Sequence, residues 1–167
     1  MNKDESENNR TAPRDASVQA PLLQDGHTLT AFPVRYAETD QMGIVHHSVY
    51  AVWFECGRTA YVEAFGFTYA GLEAEGAWLP LLSLTSRFHR PMRYGQTVHV
   101  KTRLIKAERT RLLFGYAVHA EPDGPVCVSG TTEHAWTGPD LKPVNLSRRH
   151  PDLFARLGPM FQCATGE

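Results

Sequence analysis

The chain has 167 residues, of which 42% are hydrophobic and 21% charged, as is typical of one water-soluble globular domain. Its 17 basic and 18 acidic side chains give a net charge of −1, which argues against a nucleic-acid-binding surface. No apolar stretch approaches the roughly 18 residues of a membrane span, and no signal peptide is evident. Three cysteines without a C-x-x-C spacing favour reduced thiols, so we expect a cytoplasmic location.

The first residues are polar and charged, with almost no large apolar side chain before Leu22, which predicts a disordered tail over residues 1–26. A single domain is predicted over 27–160. It begins with a strand in the stretch LTAFPVRY, where Pro33 indicates an edge position or a bulge.

A long helix is predicted next, with Ser48 as its N-cap, an end near Phe65 and a stop at Gly66. Apolar side chains lie on two of its faces, which is typical of a helix buried in a domain core. The first face carries Val49, Val52, Trp53, Cys56 and Ala60, and the second Tyr50, Phe54, Tyr61 and Phe65. A shorter helix is expected at about Tyr69 to Glu75.

The rest of the domain alternates in the manner of β-strands, with turn residues between the segments. Four strands are predicted as an antiparallel meander within residues 78–91, 96–111, 111–122 and 125–138, followed by one helical turn at about Pro151 to Leu157. The pattern predicts an α+β fold in which the sheet wraps the long helix.

The segment that begins at Asp40, DQMGIVHHSVY, carries the chemistry that the sequence suggests. A carboxylate lies in a loop just before the start of a buried helix, and Gly43 allows the backbone to approach a ligand closely. Free N–H groups at a helix start can hold a developing oxyanion. A nearby carboxylate can attack a carbonyl or activate water. The simpler interpretation is that Asp40 only forms a turn or a cap.

The same segment resembles the signature of the 4-hydroxybenzoyl-CoA thioesterase family. The resemblance covers about Thr28 to Trp136 and departs at His46, where the family more often has Tyr or Trp. The matching positions of the loop and helix are Asp40, Gly43, Ile44, Val45, His47, Tyr50, Phe54, Glu55 and Arg58. Phe88, Pro91, Tyr94 and Gly95 match the family's F-x-x-P-x-x-Y-G step.

The resemblance implies a hotdog fold, an antiparallel sheet of about five strands wrapped around one long central helix, in homodimers that assemble into homotetramers. It implies hydrolysis of an acyl-CoA thioester to a free acid and CoA. Asp40 would be nucleophile or general base, and the backbone N–H of His47, with its side chain as a second option, would polarise the carbonyl. Glu55 is the alternative base, because related hotdog thioesterases use a helix glutamate. Gly43, Val45 and Tyr50 would contact the substrate.

The basic residues between Arg87 and Arg111 can serve the CoA phosphates or simply form a solvated strand face. Arg90 and Arg93 are the best candidates, because their turn leads back toward the helix. Glu55 and Arg58 have the spacing of a helix salt bridge or an interface pair. The histidine spacings match no metal motif, so neither a metal nor a cofactor is expected, CoA being part of the substrate.

Two other functions use the same fold. One is a hydratase or dehydratase that acts on acyl thioesters, although its different His/Asp arrangement is not found in this sequence. The other is a non-catalytic module that binds acyl-CoA.

Overall fold

The computed structural model describes residues 22–164, and of residues 22–24 only the backbone. It confirms the α+β class. The strands are β1 Leu22–Gln24, β2 His27–Pro33, β3 Leu81–Phe88, β4 Thr97–Ala107, β5 Arg111–His119 and β6 Val126–Ala135. The helices are α1 Val49–Ala64, α2 Tyr69–Ala74, α3 Leu146–Arg149, α4 Pro151–Arg156 and α5 Gly158–Gln162, with a 3₁₀ turn at Tyr36–Glu38. No helix in this described part is long and apolar enough to cross a membrane.

All strands pair antiparallel in one sheet of order β1-β2-β4-β5-β6-β3. The predicted meander is therefore wrong at one step, since β3 lies beside β6 at the far edge and not beside β4. The physical reason is the segment 89–96, which crosses the end of the sheet. The backbone N–H groups of His89 and Arg90 donate to the carbonyl of Cys127 in β6, while the carbonyl of Gln96 accepts the N–H of Val34, just after β2.

The first strand lies inside the predicted tail. Leu22–Gln24 pairs with the start of β2, so three residues of the segment 1–26 belong to the sheet. The chain reverses between the two strands at Asp25 and Gly26, both of which have positive φ. Residues 1–21 lie outside the described residues. At the other end, α4 confirms the helical turn predicted at 151–157, and α3 and α5 extend it.

Helix α1 packs on one face of the sheet, which we call the inner face. The approach is closest at Gly57, where a Cβ atom would come within 2.9 Å of Val100 Cγ1 and also meet the Thr102 hydroxyl. Phe54 stacks on Tyr116 of β5 with ring centroids 4.4 Å apart. Alternate residues of β4 are buried toward the helix and half-buried on the other face, as a two-sided sheet requires. The long helix therefore forms the centre of the core, as predicted.

Strand β3 differs from the others because most of its residues are exposed. It carries large apolar side chains and forms a sheet edge with no further strand among residues 22–164. An apolar edge of eight residues is an open template for pairing with another strand. Its exposed apolar side chains are Leu81, Leu82, Leu84 and Phe88.

Candidate active site

The loop that holds Asp40 is a narrow hairpin closed by a bridge between Thr39 and Val45. The N–H of Asp40 donates to the carbonyl of Ile44 at 2.9 Å, and the N–H of Gly43 donates back to the carbonyl of Asp40 at 2.9 Å. Gly43 has φ +71°, a conformation that favours glycine. These bonds hold the carboxylate of Asp40 at the tip of a rigid turn.

The two oxygens of the Asp40 carboxylate have different surroundings. Oδ1 accepts the N–H of Met42 at 2.9 Å, the geometry of an Asx turn. Oδ2 has no hydrogen-bond partner within residues 22–164. The turn-forming interpretation of Asp40 is therefore correct, but it uses only one oxygen, and the other is available to a ligand.

Three hydrogen bonds attach this hairpin to its neighbouring segments. Val45 is 4% exposed, and its N–H donates to the carbonyl of Met92 at 2.8 Å. Arg93 Nη1 donates to the carbonyl of Gly43 at 3.1 Å. The N–H of His46 donates to the carbonyl of Glu38 at 2.9 Å. The loop is thus tied to the crossing segment 89–96 on one side and to the 3₁₀ turn on the other.

Glu38 is a second carboxylate in this region, which the sequence did not single out. It is 5% exposed and accepts four hydrogen bonds, three from Arg35 and one from the indole of Trp53 at 3.3 Å. Trp53 lies on α1, so Glu38 fastens the segment before Asp40 to the helix. The sequence contained one signal for this contact: Trp53 lies one turn inside an apolar helix, and a buried indole N–H needs an acceptor.

The helix starts at Val49 with Ser48 in the N-cap position, as predicted, but the Ser48 side chain makes no capping bond. Its hydroxyl instead lies 2.8 Å from Nδ1 of His46, which also accepts the N–H of Ser48. The backbone N–H of His47 has no hydrogen-bond acceptor among the described residues. A free donor thus lies at the positive end of a 16-residue helix.

Two of the predicted substrate contacts, Val45 and Tyr50, are buried in the core. Tyr50 is 2% exposed and packs between Trp53 and Phe88, at 4.9 and 5.4 Å between ring centroids. Burial raises the pKa of Tyr50 to about 12, so its hydroxyl stays protonated. Phe88 is 53% exposed, so the Tyr50 ring lies one residue away from the open inner face of β3.

The two basic candidates for the CoA phosphates, Arg93 and Arg90, differ in their contacts. Arg93 contacts the Asp40 hairpin directly, as described above, whereas the exposed side chain of Arg90 makes no hydrogen bond or ion pair within the described part of the chain.

Glu55, the alternative base, lies on the exposed face of α1. It follows Ser48 by seven residues and so lies about 10 Å further along the helix axis.

The predicted helix pair of Glu55 and Arg58 is wrong. Arg58 turns inward, where its Nε donates to the hydroxyl of Tyr69 at 2.8 Å and its Nη1 lies 2.9 Å from Nε2 of His134. Burial, reinforced by the Arg58 cation, lowers the pKa of His134 to about 4, so the ring is neutral and accepts this bond. Nδ1 of His134 then donates to the carbonyl of Leu79 at 3.2 Å.

Comparison with known proteins gives a consistent result. The family model of the thioesterase-like superfamily matches residues 34–147. The putative acyl-CoA thioesterase YneP of Bacillus subtilis is 36% identical over 120 residues, which cover 71% of this chain and 86% of the relative.

Among solved structures, a DHNA-CoA thioesterase from Staphylococcus aureus is 34% identical with a TM-score of 0.73, over 80% of this chain and 89% of that one. A 4-hydroxybenzoyl-CoA thioesterase shares the fold with a TM-score of 0.64 at 15% identity, over 72% of this chain and 93% of that one.

Proposed function

The chain belongs to the thioesterase-like superfamily and has its hotdog fold, and from this premise we propose that it hydrolyses acyl-CoA thioesters with Asp40 as the catalytic carboxylate. Its similarity to proteins named as thioesterases identifies it as a thioester hydrolase. The observation that supports the assignment of Asp40 is that the short segment before α1 holds both a carboxylate oxygen, Oδ2 of Asp40, and a backbone N–H, of His47, without a hydrogen-bond partner among residues 22–164. Hydrolysis of a thioester requires both a nucleophilic and an electrophilic group.

In this reaction the carbonyl carbon gains a bond to oxygen and loses its bond to sulfur, and CoA leaves as a thiolate that takes up a proton. Oδ2 of Asp40 either attacks the carbonyl carbon, giving an anhydride that water then opens, or removes a proton from the attacking water. Both routes need a carboxylate with an unoccupied lone pair, and Asp40 has one.

The N–H of His47 supports the electrophilic half of this mechanism. A donor with no protein acceptor can bind the carbonyl oxygen of the thioester, and that bond strengthens as negative charge develops on the oxygen. The dipole of α1 acts in the same direction. The exposed ring of His47 is a second possible contact, and Glu55 remains the alternative base.

The guanidinium of Arg93 is the best-placed group for a CoA phosphate. It is exposed, and it lies beside the hairpin through its bond to Gly43. Arg90, three residues earlier on the same crossing segment, can add a second contact. Coenzyme A enters as part of the substrate, so neither a metal nor a redox cofactor is required by this chemistry.

We propose a homodimer, assembling further into a tetramer, as the active form. The support is the exposed apolar edge of β3, which a second copy of β3 would cover and extend into a continuous sheet. The inner face of β3 reaches Tyr50 through Phe88, so the same pairing would bring a second chain close to the start of α1. A cytoplasmic location stays a prediction of the sequence.

The test is the release of CoA from a panel of acyl-CoA thioesters by the parent chain and by the Asp40→Asn variant. The amide oxygen of Asn can still accept the N–H of Met42, so this change keeps the turn and removes only the carboxylate. We expect kcat to fall by about 100- to 10,000-fold with unchanged thermal stability.

The matched control is Asp140→Asn. Oδ1 of Asp140 accepts the N–H of Lys142 in the same type of turn, but in the exposed loop after β6 and not in the segment before α1, so activity should be unchanged. If Asp40→Asn keeps the parent rate, Asp40 is not the catalytic group, and Glu55→Gln becomes the next variant to measure.

A further inference from the structure

A cleft of about 540 Å³ lies on the outer face of the sheet, the face turned away from α1. Strand register explains how it forms. Lys101, Ala117, Ser129 and Arg87 are successive neighbours across β4, β5, β6 and β3. A second row beside it consists of His27, Arg103, Gly115, Thr131 and Thr85. The middle of both rows carries small side chains, with the long ones of β4 on one side and Arg87 of β3 on the other, so the rows form a trough.

The charges in this trough have one sign. Lys101 and Arg103 lie on β4 and Arg87 on β3, with His27 beyond them, and no Asp or Glu of residues 22–164 lines the cleft. Nζ of Lys101 lies 3.5 Å from the carboxylate of Asp123, whose side chain is 98% exposed. A fully solvated partner of this kind neutralises little. The trough is therefore cationic although the whole chain carries a net charge of −1.

The floor of the trough, formed by β5 and β6, offers space and hydroxyl groups to a ligand. At Gly115 a Cβ atom would come within 2.7 Å of Ile105 Cδ1 and 3.5 Å of Arg103 Nε, so the missing side chain lets the Arg103 side chain extend over the floor. The hydroxyls of Thr85 and Thr131 are 2.7 Å apart. Hydroxyls and guanidinium groups together are the donors that bind phosphate oxygens.

We propose that this trough binds a nucleotide-sized molecule that carries phosphate groups. Strands β4 and β3 are separated by three interstrand spacings, about 14 Å, so cations from two walls can face phosphates at two positions of one ligand. The planar guanidinium forks of Arg87 and Arg103 can each bind a phosphate with two hydrogen bonds. This site is independent of the proposed hydrolysis, because the sheet separates the trough from α1 and from the Asp40 hairpin.

Isothermal titration calorimetry of the full chain at low salt tests the proposal, with adenosine 3′,5′-bisphosphate and inorganic pyrophosphate as probes and adenosine as the phosphate-free control. We expect both phosphate probes to bind and adenosine not to bind. Binding should weaken as salt is raised, because the contacts are ionic. The double variant Arg87→Gln/Arg103→Gln should weaken binding by at least about tenfold.

Two matched variants separate this trough from other basic surfaces. Arg148→Gln/Arg149→Gln removes two exposed cations of α3 and should leave the affinity unchanged. Arg93→Gln tests the proposed CoA contact, and it should also leave trough binding intact. Circular dichroism melting of each variant checks that the fold is kept.

Three results would overturn the proposal: no binding of either phosphate probe to the parent, equal binding to the trough double variant, or loss of binding in Arg93→Gln alone. A change of oligomeric state in the trough variant, without probe binding to the parent, would identify this face as an interface between copies instead. The Asp40→Asn variant should bind the probes like the parent, so failure of the hydrolytic assignment and failure of the trough proposal are distinguishable.

Discussion

Replacing Glu38 should destabilise the fold, because this carboxylate is the buried junction between the Asp40 hairpin and α1. Oε1 accepts hydrogen bonds from Nε and Nη2 of Arg35 and from the indole N–H of Trp53. Oε2 accepts a hydrogen bond from the backbone N–H of Arg35 at 2.8 Å. In Glu38→Gln an NH₂ group must replace one of these oxygens. Whichever way the amide turns, at least one donor then faces another donor.

The expected cost follows from which donors can reach water. The Arg35 side chain is 71% exposed, so its guanidinium can be hydrated and its ion pair with Glu38 contributes little. The backbone N–H of Arg35 and the indole N–H of Trp53 bind different oxygens of Glu38, so the single amide oxygen of Gln can accept only one of them, and a donor that loses its acceptor costs about 1 to 3 kcal/mol. We expect Glu38→Gln to lower the free energy of unfolding by about 2 kcal/mol. Glu38→Ala should lower it further, because both of these N–H groups then lose their acceptor, and Trp53 is only 1% exposed.

Urea denaturation at pH 7 measures these differences as shifts of the midpoint at constant slope. Glu63→Gln is the control, since this glutamate lies exposed on the same helix, and its effect should stay within about 0.5 kcal/mol. Trp53→Phe should cost about 1 kcal/mol less in the Glu38→Ala background than in the parent, because Phe removes the indole N–H that Glu38→Ala leaves without an acceptor. If Glu38→Gln is as stable as Glu63→Gln, the anchoring role of Glu38 is refuted.

Three further predictions concern the core, its pH dependence and the sheet edge. Gly57→Ala should lower the free energy of unfolding by about 2 kcal/mol in urea despite the better helix propensity of Ala, because the new methyl group overlaps Val100 and Thr102; parent-like stability would contradict this packing. The pKa of His134 falls from 6.5 in the unfolded chain to about 4 in the fold, so the unfolded state binds more protons between these values. Stability should therefore decline as pH falls from about 6.5 toward 4, by about 3 kcal/mol in all, and His134→Gln should remove this part of the pH profile measured by urea titration; an unchanged profile would exclude His134 as its source. Leu84→Arg on the open edge of β3 should shift the sedimentation coefficient of the chain from dimer or tetramer to monomer, and a parent-like value would show that β3 is not the contact between copies.

The parts of the fold that depend on local patterns could be predicted from the sequence. Helix α1 was found because its apolar side chains repeat over four turns and Gly66 stops it, and both ends agree with the structure to within a residue. Asp40 was selected as the catalytic candidate through the family signature, whereas the hairpin that holds it was predicted only as a loop with turn residues. Its turn chemistry alone would not have distinguished a catalytic aspartate from a structural one.

The parts that the sequence did not predict depend on partners distant in the chain. The alternation of β3 is compatible with pairing to either neighbour, and its partner was decided by the crossing of segment 89–96, which no local pattern reports. Arg58 has a glutamate at helical spacing, yet its partners are Tyr69 and His134, the second of them 76 residues away. A buried acceptor holds a guanidinium better than an exposed helix pair, which contributes only a few tenths of a kcal/mol.

The contrast between Glu38 and Asp40 gives a physical reason why only one of these two carboxylates is suited to chemistry. They are two residues apart, and both are acids in the same loop. Glu38 is 5% exposed and has four donors on its oxygens, so its carboxylate is shielded from a ligand and committed to bonds that hold the fold. Asp40 uses Oδ1 for its own turn and keeps Oδ2 free. Because Glu38 carries the attachment to α1, Asp40 can remain partly solvated without loosening the hairpin, and its position relative to the N–H of His47 is set by bonds that the reaction would not disturb.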